Sequence, residues 1–127
     1  MTNEDKELLL KDLCGRLPYG PKVHVVGDWF YDYMEPYDST LDKVFFNLLT
    51  PRNANLVVKA YLRPMSSMTM SEELEFTELC LKYAGKPEIE NMVIELSEFY
   101  NKKHLDYRGL IEKGLAIEVT EENNPYK

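Results

Sequence analysis

The nine residues YLRPMSSMT, from Tyr61 to Thr69, constrain the fold more than any other stretch of the chain. Pro64 has no amide hydrogen to give a central sheet ladder, so the apolar run before it is expected to end as a strand at Arg63 or earlier. Thr69 and Glu72 have the spacing of a capping box, in which the hydroxyl accepts a backbone N–H three residues on and the carboxylate returns the bond. The chain must therefore change from sheet to helix inside this stretch. A helix over residues 70–84 is predicted to follow, with Phe76, Leu79, Cys80 and Tyr83 on its inner face and Gly85 as its stop.

Upstream, Leu9, Leu10, Leu13, Cys14 and Leu17 recur at helical spacing and predict a helix over residues 3–17, broken by Pro18, Gly20 and Pro21. Residues 22–26 and 29–34 are rich in β-branched and aromatic side chains. Between them, Gly27-Asp28 suits a two-residue hairpin turn, setting Val26 opposite Trp29 and His24 opposite Tyr31. A loop is expected over residues 36–40, a third strand over 43–49, a turn at 51–53 and a fourth strand over 55–62. Such an order reads as an antiparallel meander.

Downstream, Pro87 suits a first helical position, and Ile89, Met92, Val93, Leu96, Phe99 and Tyr100 carry the helical period to about residue 103. Asp106 is placed to cap a short helix over residues 107–112, closed by Gly114. Leu115, Ile117 and Val119 then alternate as a last strand, ahead of a polar tail over 120–127 that is expected to fray. The expected architecture is one α+β domain over residues 1–127, an antiparallel meander sheet of about four to five strands with helices packed on it. Its length and a hydrophobic fraction of 44% suit a chain with one ordinary core.

The formal net charge is -7. Residues 1–64 hold 8 basic and 9 acidic side chains, and residues 65–127 hold 7 and 13, so the excess lies in the second half. That field repels phosphate backbones, and direct nucleic-acid binding is not expected. Two cysteines, Cys14 and Cys80, make no disulfide framework and are expected to be buried apolar side chains of a reducing compartment. The acidic start, MTNEDKELLLKDL, and its run of only three leucines read as neither leader nor membrane span, which points to a cytoplasmic protein without membrane contact.

The sequence offers little recognisable chemistry. His24 and His104 stand apart and no CxxC or HxxxH spacing occurs, so no metal site is expected; no phosphate-cradling glycine loop occurs, so no nucleotide cofactor is expected either. Catalytic residues are not assigned. The glutamates of residues 72–78 read as a solvated helix face. The aromatic residues around the first hairpin, Trp29 and Tyr31 in particular, are of the kind that centres protein interfaces. Arg63 in LRP and Arg108 in DYRGL, with Tyr107 beside it, either tie down loops or meet a carboxylate of a partner or ligand. These five residues are the candidate contacts.

The segment LLLKDLC-R-LPYG over residues 8–20, the motif YLRPMSSMT with its Glu-rich helix, and DYRGLIEKGLAIEV over residues 106–119 resemble small uncharacterised proteins of gut Bacteroidales, often found beside prophage or other mobile-element genes. The resemblance brings no activity, cofactor or catalytic residue. It implies a prophage or mobile-element origin, while the aromatic hairpin, the acidic balance and the absence of catalytic motifs point to a small non-enzymatic protein–protein interaction domain, with a protein partner or a homodimer as its target. Two other classes follow from the composition: an acidic inhibitor that mimics nucleic acid towards a nucleic-acid enzyme, and a small enzyme of unrecognised type, which needs a pocket lined by groups such as His24, His104 or Asp106.

Overall fold

The computed structural model describes residues 2–29, 32–42 and 57–126. Among them the order is α1 (Asn3–Arg16), β1 (Lys22–Trp29), β2 (Asp32–Thr40), β3 (Val57–Leu62), α2 (Met70–Lys82), α3 (Ile89–Lys102) and β4 (Ala116–Glu118). The class is α+β, and the four strands stand in the order β2-β1-β3-β4. β1 is antiparallel to β2 and to β3, but β4 is parallel to β3, with Ala60 opposite Ala116. The sheet is therefore mixed and not an antiparallel meander. The connection between β3 and β4 carries both α2 and α3, long enough for the crossover that parallel pairing requires.

The first hairpin also departs from expectation. β1 runs through Gly27-Asp28 to Trp29, which pairs with Asp32, so the turn is not at Gly27-Asp28. Val25 lies opposite Tyr37 and His24 opposite Asp38. The register slips between the pairs Val25–Tyr37 and Gly27–Met34, where β2 has two residues, Glu35 and Pro36, against the single Val26 of β1. A bulge tolerates a proline that cannot donate to the ladder, which is why residues 36–40 form strand and not loop. Gly27 supplies the backbone freedom there, at φ 132°. The strand expected over residues 43–49 and the turn at 51–53 lie outside the described residues.

One face of the sheet makes the core. Val23 and Val25 of β1, Val58, Ala60 and Leu62 of β3, and Ala116 of β4 pack with Leu9 and Leu13 of α1 and with Leu41, Leu110 and Leu115. Each such valine or leucine contributes about 1.5–3 kcal/mol by leaving water, and each alanine less. The buried stripe of α1 is Leu9, Asp12, Leu13 and Arg16, while Leu10 is exposed. Cys14 is exposed as well, and Cys80 is partly so, which corrects the expectation that both are core residues. The helix turns this way because Asp12 and Arg16 go inside as a pair.

Helix starts follow local chemistry. Thr2 with Asp5, and Thr69 with Glu72, both form full capping boxes at the N-termini of α1 and α2. α2 packs on α3 through Phe76, whose ring lies 6.2 Å from both Phe99 and Tyr100. α3 starts at Ile89, behind Glu88 and not at Pro87, and ends with His104 in the left-handed conformation, φ 59°. His104 N–H bonds the Asn101 carbonyl and Leu105 N–H that of Tyr100, closing the helix in the manner usually given to glycine. Residues 107–114 form turns and not the expected short helix. The Asp106 carboxylate accepts from Leu110 and Ile111 N–H at 2.8 and 2.9 Å, four and five residues on, which spans a wider loop than a helix cap does. Among the described residues no helix is long and apolar enough to cross a membrane.

The tail is not frayed. Thr120 N–H and hydroxyl both donate to Asn123 Oδ1, and Asn123 Nδ2 donates to the Glu118 carbonyl. Tyr126 then crosses to the sheet: its hydroxyl accepts from Lys22 N–H at 2.9 Å and donates to the Tyr61 carbonyl at 2.8 Å. Its ring stacks on His104 at 3.9 Å. The β1–β3 register, Val23 opposite Ala60, puts Lys22 opposite Tyr61, so the phenol occupies the place of the next ladder bond.

Replacing Tyr126 with Phe removes that bridge. We expect a loss of about 1–2 kcal/mol, as for a buried donor and acceptor left unpaired, read as a fall in melting temperature of several degrees. Burial pushes the Tyr126 phenol up to about 12. The folded state therefore holds this proton more tightly than the unfolded chain, and stability should fall as pH rises from about 10 to 12. In urea titrations over that window, Tyr126→Phe should lose less stability than the wild type.

Candidate functional site

Arg63 leaves the end of β3 and turns its guanidinium onto the start of α2. Nη2 and Nη1 donate to Glu72 Oε1 and Oε2 at 2.7 and 2.9 Å, a bidentate pair. Nη2 also donates to the Ser67 carbonyl at 2.9 Å, and Nη1 to that of Lys103 at 3.3 Å. Its backbone is engaged on both sides, N–H to the His104 carbonyl and carbonyl to Asp106 N–H, each at 2.8 Å. The Glu72 carboxylate meanwhile caps Thr69 N–H at 2.9 Å. The Arg63 side chain is 22% exposed, yet its donors are directed inward.

Arg108 and Tyr107 belong to a second internal cluster. Asp12 and Arg16, both fully buried, pair at 2.8 Å through Arg16 Nε, and Arg16 Nη2 donates to the Leu105 carbonyl at 2.7 Å. Arg108 Nε stands 3.6 Å from the other Asp12 oxygen, a Coulombic contact too long for a hydrogen bond. Its guanidinium lies 4.7 Å from the centre of the Tyr107 ring, whose own stacking partner is Tyr100 at 4.9 Å. Arg16 Nη1, Arg108 Nη1 and the Tyr107 hydroxyl are buried without a hydrogen-bond partner among the described residues. The cluster joins α1, α3 and the loop over residues 104–111.

Of the other candidate contacts, Trp29 ends β1, its side chain lying outside what the structure describes, and Tyr31 lies outside the described residues. The structure thus brings Tyr107 and Arg108 together and leaves Arg63 in a clamp of its own. His24 Nδ1 meets Asp38 Oδ1 at 2.8 Å, and the Tyr61 hydroxyl donates to the same oxygen at 2.9 Å. Burial and then this carboxylate push the Tyr61 phenol up to about 12. His104 is held down at about 4, first by burial and then by the charges of Arg16 and Arg63, so it is neutral at pH 7.

Two surface depressions flank the tail. One, of about 210 Å³, is lined by Asp38, Tyr61, Glu122, Asn123, Asn124 and Pro125. The other, of about 400 Å³, is lined by Arg63, Ser67, Val119, Thr120, Glu121 and Asn124. His24, His104 and Asp106 line neither. Among the described residues, no three His, Cys, Asp or Glu side chains gather as a metal site would need.

The surface that stands out is helical. Met70, Leu74 and Leu81 of α2 are 79%, 61% and 67% exposed, and Ile89, Val93 and Ile94 of α3 are exposed too. No residue within α2 is fully buried. None of these six was among the contacts expected from sequence. For the three on α2 a signal exists in the spacing of Met70, Leu74 and Leu81, which puts them opposite Phe76, Leu79 and Tyr83 on the wheel of the same helix. Comparison of the chain with protein-family models, curated proteins and solved structures finds no match.

The Arg63–Glu72 pair gives a testable expectation. Hydrogen bonding to Arg63 holds the Glu72 carboxyl down at about 2. The stability it adds is present above about pH 4.5 and is lost as pH falls towards 2. Arg63→Ala should cost about 2–4 kcal/mol at pH 7, within the range for breaking a partly buried charge pair. Urea titrations across pH 2–5 should show that variant losing less to acid than the wild type does.

Proposed function

We propose that this chain is a small non-enzymatic interaction domain, of prophage or mobile-element origin, that acts by protein contact. The observation that carries the reading is the exposure of large apolar side chains on α2 and α3. Met70, Leu74, Leu81, Ile89, Val93 and Ile94 stand in solvent on a chain whose core is otherwise well formed. Isolated exposed apolar residues are ordinary; their concentration on two adjacent helices is what marks an interaction surface. The origin rests on the motifs of residues 8–20, 61–69 and 106–119. Arg63 is paired with Glu72, and Arg108 stands beside Asp12 and the Tyr107 ring, so the reading is built on the exposed helical surface and not on these three side chains.

The charge of these helices favours protein contact over mimicry of nucleic acid. From residue 70 to 102 there are eight glutamates and three lysines, but Glu72, Glu75 and Glu95 are taken up by Arg63, Lys103 and Lys82. A mimic needs its carboxylates free and in rows.

The test is capture and reconstitution. Tagged protein is crosslinked in a gut Bacteroidales lysate, the captured protein is purified separately, and the two are mixed and measured by light scattering after gel filtration. A defined stoichiometric complex is expected. A chain that stays monomeric and forms no complex with any purified candidate would sink the reading.

A further inference from the structure

The outward face of α2 has an order that the exposure values alone do not express. Met70, Leu74, Thr77 and Leu81 are spaced by four, three and four residues, the repeat with which one helix lays a seam along another. At about 100° per residue they fall within a sector of roughly 60°. The sector points away from Phe76, through which α2 packs on α3. Thr77 satisfies its own hydroxyl by donating to the Glu73 carbonyl at 2.9 Å, so this polar member of the seam needs no outside partner. Glu73 and Glu78 border the seam on opposite sides, both exposed and without an ion-pair partner among the described residues. These are the flanking positions whose charges choose a partner when helices pair.

We infer that this seam docks a partner helix whose apolar stripe is edged by Lys or Arg; the inference rests on the interaction-domain reading and names the partner's chemistry. A second copy of the chain fits poorly. A parallel pair would set Glu73 of each copy beside Glu78 of the other, and an antiparallel pair offers no basic residue to either glutamate. Both arrangements also bring together two chains of net charge -7. A basic-edged helix meets the same apolar seam and turns both flanking charges into attractions. The seam spans about 16 Å, three turns of helix, so the contact area is small and weak, transient binding is expected for an isolated helix.

Two synthetic three-heptad peptides with the same leucine seam, one flanked by Lys and one by Glu, supply the probes. Titrated into 15N-labelled protein, the Lys peptide should shift amides of α2 saturably and bind at least tenfold more tightly than the Glu peptide. Leu74→Glu with Leu81→Glu should abolish that binding. Glu73→Lys with Glu78→Lys should reverse the preference between the peptides, with melting temperature checked to show that each variant is folded. Shifts spread over the acidic surface and untouched by the Leu74 and Leu81 changes would overturn the inference, as would sedimentation showing a homodimer assembled through α2. A reconstituted complex with a host protein that survives all four changes would sink the seam alone and leave the interaction-domain reading standing.

Discussion

The joint between the sheet and the helices depends on a single carboxylate. Glu72 caps the first turn of α2 and, with the same oxygen, receives Arg63. The guanidinium then reaches the Ser67 carbonyl in the single turn ahead of α2 and the Lys103 carbonyl at the end of α3. One ion pair thus fixes the direction in which the chain leaves β3, the start of α2 and the end of α3. The bidentate geometry holds position as well as charge, which a lysine at the same place would not do.

A second polar knot fixes α1. Asp12 and Arg16 are buried together, and Arg108 brings a further positive charge to the same carboxylate. Burying such a group costs several kcal/mol unless it is paired, so the helix can rest on the loop over residues 104–111 only in an orientation that brings all three together. The apolar core supplies most of the driving force, while this knot restricts which face of α1 meets it.

The parts legible in the sequence were those governed by neighbours in the chain. The Thr69–Glu72 capping box and the strand end at Pro64 are decided within a few residues, and both stand where the spacing put them. Distance along the chain defeated the rest. Gly27-Asp28 has the composition of a turn, yet pairing with β2 carries the strand through it; Pro36 resembles a loop residue, yet a bulge accepts it. β4 is parallel because the helices intervene, which no local pattern announces. Leu10 and Cys14 share a helical stripe with Leu13, but the Asp12–Arg16 pair rotates α1 and leaves them outside. For the candidate surface, α2 has two apolar faces, and the inner one, with Phe76, already accounts for the helix. The outer one emerges only from the exposure of Met70, Leu74 and Leu81 in the folded chain.

Tyr126 gives the sheet a property that its strand order conceals. Its hydroxyl acts as a spacer one oxygen wide between Lys22 and Tyr61, so the β1–β3 seam ends in a splayed fork. The two backbone groups it holds apart are complementary to each other. The aromatic side chain of a distant segment thus satisfies both of them and marks where the β1–β3 pairing stops. The last rung at this end of the sheet is therefore made by a side chain and not by the strands themselves.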